Sequence, residues 1–450
     1  LQQLVENAVA AAAEPGVTSA EIESLVSTAV SEAVAGGPSP LSAAQVQDIV
    51  AAALADQPTA EPIAEPAAAP PLKIGQLNSF TGDLSDFGGA HRNAGALAID
   101  HVNLAGGVLG TAVTISARDT QTNPQVGVDA ARALVDIENV VAIVGALASG
   151  VSIPVVQSVT GPGGILQISA ASTSPAITVL DDNDFMFRTT VSDAAQGVVL
   201  ARLALEQGFD TASALYINNA YGEGLAEQFK ETFEAEGGTV QELVPHEGVQ
   251  PSYASELSRA TDGSPDVLVA ISYPESAEVY LREALEGDYI STFLFVDGTK
   301  SDDLNTAIGA ENLEGTFGTA PGSALNAARS TFNEAYTAAF ASNPPLPFMA
   351  ETYDAVVLIA LAAESAGSTT DSAKIRDALR AVANPPGEVV GPGVAGIKRA
   401  LELIRDGQDV NYEGAGGSQD FDENGDVIST IEIWSIESGA IVSSGRFELP

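Results

Sequence analysis

The sequence predicts an α/β protein of two doubly wound lobes, joined by a multi-crossing hinge and preceded by a short α-helical extension. Three observations support this prediction. Residues 1–71 differ in composition from the rest of the 450-residue chain. From residue 72 onward, strand-like and helix-like segments alternate in a first run, and the alternation starts again in a second run. Hydrophobic residues make up 45% of the chain, which is the proportion expected for globular domains.

The N-terminal extension, residues 1–71, contains no Lys or Arg and carries an Ala-rich pattern three times, at 4–9, 25–30 and 49–54. Each copy spaces its apolar residues as a helix does, and two copies follow sequences of the capping-box type. The Pro-rich tract at 57–71 predicts an extended spacer. Two interpretations remain open: a partly ordered spacer, or an element that self-associates through its apolar stripes.

The first α/β run begins with a strand and continues in regular alternation. Its predicted strands lie at 72–77, 113–117, 140–145 and 164–169, and its predicted helices at 94–103, at 127–137 and from about 152.

The second run repeats this scheme with helices at 194–207, 224–236, 253–260 and 276–286, and strands at 212–218, 239–244, 267–272 and 292–296. Helices return at 330–341, 352–366 and 371–382, and the alternation of apolar and polar residues at 427–447 predicts antiparallel strands. Two such lobes in one chain predict a cleft between them.

The charge and composition exclude several classes of partner. The chain has 60 acidic and 18 basic residues and a formal net charge of −42, which disfavours binding to nucleic acid or anionic lipid. It has no cysteine, so thiolate catalysis and Cys-based metal sites are excluded. Such an anionic surface suits a saline exterior. No run of about 20 apolar residues is present, and we expect any signal peptide to have been removed.

Sequence motifs of catalysis and of cofactor binding are absent or weak. His91, His101 and His246 are spaced unlike metal ligands, and neither a Gly-x-Ser-x-Gly elbow nor a P-loop occurs. The dinucleotide-type match at 391–396 has Pro at its second position and belongs to no clear βαβ unit. The segment at 420–425 begins like a calcium loop, but Ile431 stands where a bidentate Glu belongs, so we predict a hairpin turn there.

Eight short motifs occur in an order that is specific as a set. They are IGQL at 74–77, TG at 81–82, NLAGGV at 103–108, VGALAS at 144–149, ISAASTSP at 168–175, FRTT at 187–190, YGEG at 221–224 and FDENGD at 421–426. With this order, the chain resembles the solute-binding proteins of branched-chain amino-acid ABC transporters, which have the type I periplasmic-binding fold. The resemblance runs from about residue 72 to 447. It implies lobes formed by 72–190 with 320–417 and by 191–319 with 418–450.

The resemblance also implies which residues hold the two charges of an amino acid. The Ser149 hydroxyl, with N–H groups around Thr173, is expected to bind the carboxylate. The Ala171 carbonyl and the Thr173 hydroxyl are expected to bind the α-ammonium, and Asp297 from the other lobe is its counter-charge, in place of the Glu of a familiar member. These roles agree with the cost of burying an unpaired charge, and strand ends are where such groups converge.

Four aromatic residues are expected to line the cleft: Tyr221 and Tyr273 from the second lobe, and Phe87 and Phe348 from the first. Phe87 stands where the resemblance leads us to expect Tyr, which favours an apolar side-chain pocket.

Each assignment has a structural alternative that the sequence leaves open. Ser149 could cap the following helix, Asp297 could be a turn residue, and Tyr273 or Phe348 could belong to the core. For Arg188 we favour a structural role, as the partner of a carboxylate near the crossover between lobes.

The predicted function is that of an exported, non-enzymatic receptor that closes on a free amino acid, neutral or branched-chain, and presents it to an ABC permease. No catalytic residue, metal or cofactor is predicted, and the location is the periplasm or the cell surface. Two alternatives remain: a binder of an amide, urea or similar solute, and a surface-assembly protein that uses residues 1–71. An enzyme is disfavoured because no nucleophile–base pair can be named.

Overall fold

The computed structural model describes residues 69–450. The predicted N-terminal helical repeats, their possible self-association and most of the Pro-rich tract lie outside the described residues. The described chain has no regular structure until Leu72, where the first strand begins.

The strands in chain order are β1 (Leu72–Asn78), β2 (Val113–Asp119), β3 (Ala142–Val144), β4 (Leu166–Ser169), β5 (Met186–Arg188), β6 (Thr211–Ile217), β7 (Thr239–His246), β8 (Val267–Ile271), β9 (Phe293–Phe295), β10 (Phe317–Pro321), β11 (Glu388–Val390), β12 (Val410–Gly414), β13 (Gly417–Ser418), β14 (Ile431–Glu437) and β15 (Ala440–Glu448).

The α-helices are α1 (Ser85–Leu104), α2 (Pro124–Arg132), α3 (Ser149–Val155), α4 (Gly161–Gly163), α5 (Asp193–Glu206), α6 (Ala220–Ala235), α7 (Ala254–Ala260), α8 (Pro274–Glu286), α9 (Asp302–Ile308), α10 (Ala310–Leu313), α11 (Ala327–Phe340), α12 (Met349–Ser365), α13 (Ser372–Ala383) and α14 (Gly393–Arg405). Two π-helical turns extend α2 and α3, at Ala133–Ile137 and Val156–Thr160.

The first sheet contains five parallel strands in the order β2-β1-β3-β4-β5. Its inner strands β3 and β4 are buried at every residue, whereas the edge strand β2 is half exposed. Continuous apolar strands of this kind are stable only when helices cover both faces of a parallel sheet. The short buried runs that predicted these strands therefore reflect their position in the sheet.

The second sheet contains seven strands in the order β15-β14-β10-β9-β8-β6-β7. Strands β6 to β10 are parallel, and β14 and β15 join its edge in antiparallel orientation. The two sheets confirm the predicted α/β class with two lobes, and the antiparallel pair confirms the strands predicted at 427–447.

Helix α12 fills the centre of the first lobe, where it packs among strands of the first sheet, α1 and α13. All its residues except the last are buried, including Glu351, Asp354 and Glu364. A helix that is buried all round belongs to the interior of a domain, so its carboxylates need partners there. Asp354 accepts hydrogen bonds from the Tyr412 hydroxyl and from the N–H groups of Ala415 and Gly416 at 2.7–2.9 Å.

The chain crosses between the two sheets after β5, after β10 and before β14. Arg188 at the end of β5 is fully buried and donates two hydrogen bonds to Asp426, at 2.5 and 2.7 Å. This pair joins the first and last crossings and confirms the structural role predicted for Arg188. The lobe boundaries 72–190 with 320–417 and 191–319 with 418–450 remain a prediction.

The structure corrects three local predictions. Helix α1 begins at Ser85, nine residues before the predicted start, and the short strands β5 and β10 were not predicted. The match at 391–396 does belong to a βαβ unit, because β11 and β12 are parallel with α14 between them. The segment at 420–425 is a turn, in which Asp422 accepts hydrogen bonds from the N–H groups of Asn424 and Asp426, but no strands flank it as in a hairpin.

Candidate functional site

A small cavity lies between the two sheets, at the ends of their strands. Its free volume is only about 20 Å³, which is room for about one water molecule and far below the roughly 300–1,000 Å³ of ligand pockets. Seven of the eight residues predicted for the site line it. The lining consists of Leu84, Phe87, Leu147, Ala148, Ser149, Ala171, Tyr221, Tyr273, Asp297, Gly298 and Phe348.

The polar lining residues follow the carboxyl ends of parallel strands, as expected for an open α/β sheet. Ser149 lies beyond β3 and Ala171 beyond β4 in the first sheet. Tyr221, Tyr273 and Asp297 lie beyond β6, β8 and β9 in the second sheet. The cavity therefore receives residues from both sheets, as the sequence predicted.

Asp297 is the only carboxylate among the residues that line this cavity, and it is 3% exposed. Its Oδ1 accepts hydrogen bonds from Gln196 Nε2 at 2.8 Å and from the Tyr221 hydroxyl at 2.9 Å. Burial raises the pKa of Asp297 to about 6, although these two donors act to lower it. Asp297 also begins a 3₁₀ turn. It is therefore a turn residue and at the same time a residue of the cavity wall.

Tyr221 and Tyr273 form a stacked pair, with ring centroids 5.5 Å apart and an interplanar angle of 10°. The Tyr221 hydroxyl lies 3.3 Å from the N–H of Gly298, which donates to it, and Asn219 Nδ2 donates to the Tyr273 hydroxyl at 3.2 Å. Burial raises the pKa of both phenols well above the ordinary value, so both remain protonated. The pair forms one wall of the cavity.

Ser149 is buried at the first position of α3, and its Oγ accepts a hydrogen bond from the N–H of Ser174 at 3.2 Å. Ala148 occupies the N-cap and makes no side-chain capping bond. The capping alternative for Ser149 is therefore wrong, and the residue lines the cavity.

Thr173 is fully buried but does not line the cavity, unlike the other seven predicted residues. Its Oγ1 makes no close hydrogen bond to another described residue, but the hydroxyl lies near enough to the Asp193 carboxylate to lower the pKa of that group. The neighbouring N–H groups of Ser172 and Ser174 already donate to Ser169 Oγ and Ser149 Oγ. Because these two N–H groups are already hydrogen-bonded, the N–H group expected to bind the ligand carboxylate is that of Thr173 itself.

The apolar part of the lining comes mainly from the first lobe. Phe87 and Phe348 are 2% and 3% exposed, and Phe87 stacks on His91 with centroids 6.2 Å apart. Phe348 precedes α12 with a φ of 67°, a left-handed conformation that is uncommon for an aromatic residue. The aromatic residues assigned as possible core, Tyr273 and Phe348, are thus both buried and part of the cavity wall.

Two residues of the site were not identified from the sequence: Asp193 and Gln196, both in the first turn of α5. Both are fully buried, and Gln196 is the donor that reaches Asp297. The sequence could have identified them by their position among the apolar residues Ala195, Val199 and Leu200. A polar residue on an apolar helix face is expected to be buried and to need a polar partner there.

Polar contacts join the two lobes beside the cavity. Asp83 before α1 accepts hydrogen bonds from the N–H of Ser276 at 2.9 Å and from its hydroxyl at 2.7 Å. The Ser301 hydroxyl donates to Asp86 at 2.7 Å, and the Ser85 hydroxyl to Glu275. Asp83 thereby satisfies the N-terminus of α8, whose own N-cap residue makes no capping bond. These contacts hold the lobes together around the cavity.

Residues 69–450 contain no cluster of three or more His, Asp or Glu residues arranged to hold a metal ion. Among the same residues, no helix combines the length and the hydropathy that a bilayer span requires.

The chain belongs to the family described as periplasmic binding protein, whose model matches residues 71–400. This match and the relatives below confirm the resemblance to type I solute-binding proteins of branched-chain amino-acid transport.

Two relatives align with more than two thirds of this chain. The chemotactic signal transduction system substrate-binding protein BasB of Halobacterium salinarum is 27% identical over 391 residues, which cover 84% of this chain and 91% of BasB. The Leu/Ile/Val-binding protein BraC3 of Rhizobium johnstonii is 29% identical over 315 residues, which cover 69% of this chain and 83% of BraC3.

Among solved structures, the leucine binding protein LivK of Thermotoga maritima matches with a TM-score of 0.70 at 25% identity, over 83% of this chain and 97% of LivK. The two-lobe type I periplasmic-binding fold predicted from the motifs is thereby confirmed.

Proposed function

From its membership of the periplasmic binding protein family, we propose that this protein captures a free amino acid, with branched-chain aliphatic side chains preferred. It acts outside the cytoplasm and delivers the amino acid to an ABC permease, without catalysing a reaction. The observation that supports this most directly is Asp297, a buried carboxylate on the wall of an otherwise uncharged cavity.

Asp297 requires a cation when the cavity is closed. A buried carboxylate without a cationic partner costs several kcal/mol, and neutral donors such as Gln196 and Tyr221 offset this cost only in part. The α-ammonium of an amino acid supplies the missing charge. We assign the opposite wall, with Ser149, Ala171 and Thr173, to the α-carboxylate and to the remaining ammonium hydrogen bonds.

The side-chain preference follows from the apolar lining. Leu84, Phe87, Leu147 and Phe348 offer no charged group to an acidic or basic side chain. A second charge in this space would be unpaired, which disfavours glutamate, aspartate, lysine and arginine. Leucine, isoleucine and valine bury aliphatic carbon against these residues at about 25 cal/mol per Å².

A thermal-shift screen against the common L-amino acids, several amides and urea tests the proposal. A ligand at 100 times its dissociation constant stabilises the folded state by about 2.7 kcal/mol. The expected result is a rise in Tm with leucine, isoleucine or valine, with smaller rises for charged amino acids. Strongest binding of an acidic or basic amino acid would contradict the side-chain preference, and binding of amides or urea alone would contradict the amino-acid class.

A second candidate is delivery of the ligand to a chemotactic signal transducer instead of a permease. It is favoured by the long alignment with BasB, 391 residues against 315 for BraC3. The two candidates share the ligand and differ in the membrane partner. Crosslinking of the ligand-loaded protein in its own membranes, followed by identification of the crosslinked partner, separates them: a transducer supports this candidate and a permease excludes it.

A further inference from the structure

The cavity between the two sheets is too small for the amino acid that it is proposed to bind. Its free volume of about 20 Å³ holds about one water molecule. Separation of the lobes would break the hydrogen bonds beside the cavity, which run from Ser276 to Asp83 at 2.7–2.9 Å and from Ser301 to Asp86 at 2.7 Å. While these bonds are kept, room for a ligand has to come from movement of a side chain in the wall.

A second cavity adjoins the first at Phe348. Its free volume is about 290 Å³, close to the lower limit of roughly 300 Å³ for ligand pockets. Its lining includes Phe332 and Asn333 of α11, Lys300 and Glu432. Among the described residues, Phe348 alone lines both cavities. Phe348 therefore forms the partition between a space too small for a ligand and a space large enough for an aromatic ring.

The charged groups that line the second cavity are already paired. Lys300 Nζ lies 2.6 Å from a carboxylate oxygen of Glu432, and Arg329 lies 3.4 Å from a carboxylate oxygen of Glu351. Phe332 adds apolar surface to the same lining. An uncharged ring can therefore enter the second cavity without facing an unpaired charge.

Phe348 is held less firmly than the other apolar residues of the first cavity. Leu84, Phe87 and Leu147 all belong to one hydrophobic cluster of the core, and Phe87 also stacks on His91. Phe348 is only 3% exposed, yet it belongs to none of the hydrophobic clusters formed by the described residues. Among the apolar wall residues, its ring is therefore the one expected to move at the lowest cost in core packing.

The main chain of Phe348, by contrast, is fixed. Its carbonyl accepts hydrogen bonds from both the N–H and the hydroxyl of Thr352, each at 2.9 Å. Its φ of 67° is left-handed, and such conformations of bulky residues concentrate at functional sites. A fixed main chain that carries a ring outside the core clusters is the arrangement expected of a side chain that turns about its Cα–Cβ bond.

We propose that the Phe348 ring turns into the second cavity when the amino acid binds, and that the side chain of the ligand occupies the space that the ring leaves. Phe348 is then the residue that sets the size of the accepted side chain. Because the vacated space has the size of a phenyl ring, the accepted class extends from aliphatic amino acids to L-phenylalanine. This inference rests on the proposed function.

Filling the second cavity tests the inference. Asn333→Trp places an indole in the space into which the ring would turn, so the Kd of the full chain for L-leucine, measured by calorimetry, should rise at least about tenfold. The matched control is Asn93→Trp. Asn93 is also a half-buried helix residue, and it lines a separate cavity of about 270 Å³ free volume that does not include Phe348. Its Kd should stay within about twofold of the unmodified chain.

Equal Kd values for leucine in these two variants would overturn the inference and leave the proposed function intact. Absence of binding of any amino acid by the unmodified chain would instead refute the proposed function, and the inference with it.

A second variant removes the partition. In Phe348→Ala a larger ligand side chain no longer has to displace the ring, so the ratio of the Kd for L-phenylalanine to the Kd for L-leucine should fall at least about tenfold. A purely structural role of Phe348 would change both Kd values by the same factor, and an unchanged ratio would contradict the inference.

A crystal structure of the unmodified chain with L-leucine decides where the ring lies. We expect the Phe348 ring beside Phe332 and Asn333, with the leucine side chain in the place that the ring now occupies. A leucine complex in which the Phe348 ring keeps its present position would overturn the inference, even if Asn333→Trp weakened binding.

Discussion

The two walls of the cleft present different kinds of polar group. The wall that follows the first sheet offers uncharged polar groups, the Ser149 hydroxyl and the backbone of Ala171, with the buried Thr173 hydroxyl two residues farther along the chain. The wall that follows the second sheet offers Asp297, already held by Gln196 and Tyr221. The Asp297 charge is thus already oriented by neighbouring side chains, whereas we expect the Ser149 hydroxyl to gain its acceptor from a ligand. We infer that the second wall contributes most of the affinity for the ligand and that the first wall contributes less.

The largest expected effect comes from neutralising the charged wall. Asp297→Asn preserves the size of the side chain but removes the counter-charge of the ammonium, and loss of one partner of a buried charged pair costs about 2–5 kcal/mol. Leucine binding measured calorimetrically at pH 7 should therefore weaken by at least about 30-fold.

The matched control for this change is Asp354→Asn. Asp354 is also fully buried but belongs to the core of the first lobe, so its replacement should leave the Kd within about twofold. Unchanged affinity in Asp297→Asn would indicate an uncharged ligand, such as an amide or urea.

An intermediate effect is expected from the hydroxyl wall. Thr173→Val removes the hydroxyl at nearly constant volume, and a hydrogen bond to a charged group contributes about 1.5–3 kcal/mol. Leucine should bind at least about tenfold more weakly in a competition assay. Thr190→Val is the control, because Thr190 is also buried and its hydroxyl also lacks a hydrogen bond, whereas only Thr173 lies within two residues of a cavity-lining residue, Ala171. Equal losses in both variants would show that Thr173 acts through the core and not through the ligand.

A smaller effect is expected at the contact that joins the walls. Asp83 accepts two hydrogen bonds from Ser276 across the cleft, so Asp83→Asn should weaken the closed arrangement and raise the Kd about threefold. Asp266→Asn is the control, because Asp266 accepts the same kinds of bond from Thr211 within one lobe. Both Kd values come from fluorescence titration with leucine, and a larger change at Asp266 would contradict the cross-lobe role.

The last prediction concerns stability, with no expected effect on affinity. Burial raises the pKa of Asp354 to about 7, above its value of about 3.8 in the unfolded chain, so the folded state holds the extra proton between these values. Its contribution to the free energy of unfolding therefore falls as pH rises from about 4 to about 7, by at most about 1.4 kcal/mol per unit. Urea denaturation at pH 4.5, 5.5 and 6.5 should show this fall reduced in Asp354→Asn. Parallel curves for both proteins would contradict it.

Local sequence signals identified most of the elements but not all of their ends. Helix α1 begins at Ser85 although its first turns contain Gly88, which lowers helix propensity. The glycine is needed because a Cβ there would lie 2.1 Å from the Ser79 carbonyl oxygen, and the Gly88 carbonyl accepts a bond from Asn78. Tertiary packing overrode propensity at this helix start, as it did for the three-residue strand β5.

The sequence by itself determined the strand–helix alternation, the negative charge, and the polar and aromatic residues that follow the strand ends, because these depend on composition and on short-range periodicity. Only the tertiary structure decided which of these residues meet, because hydrogen-bond partners and burial depend on contacts between distant segments. Gln196 reaches Asp297 across 101 positions, and Thr173 is held just outside the cavity. The candidate residues could be identified from short stretches of sequence. Their protonation and their grouping around one cavity depend on how the two lobes pack.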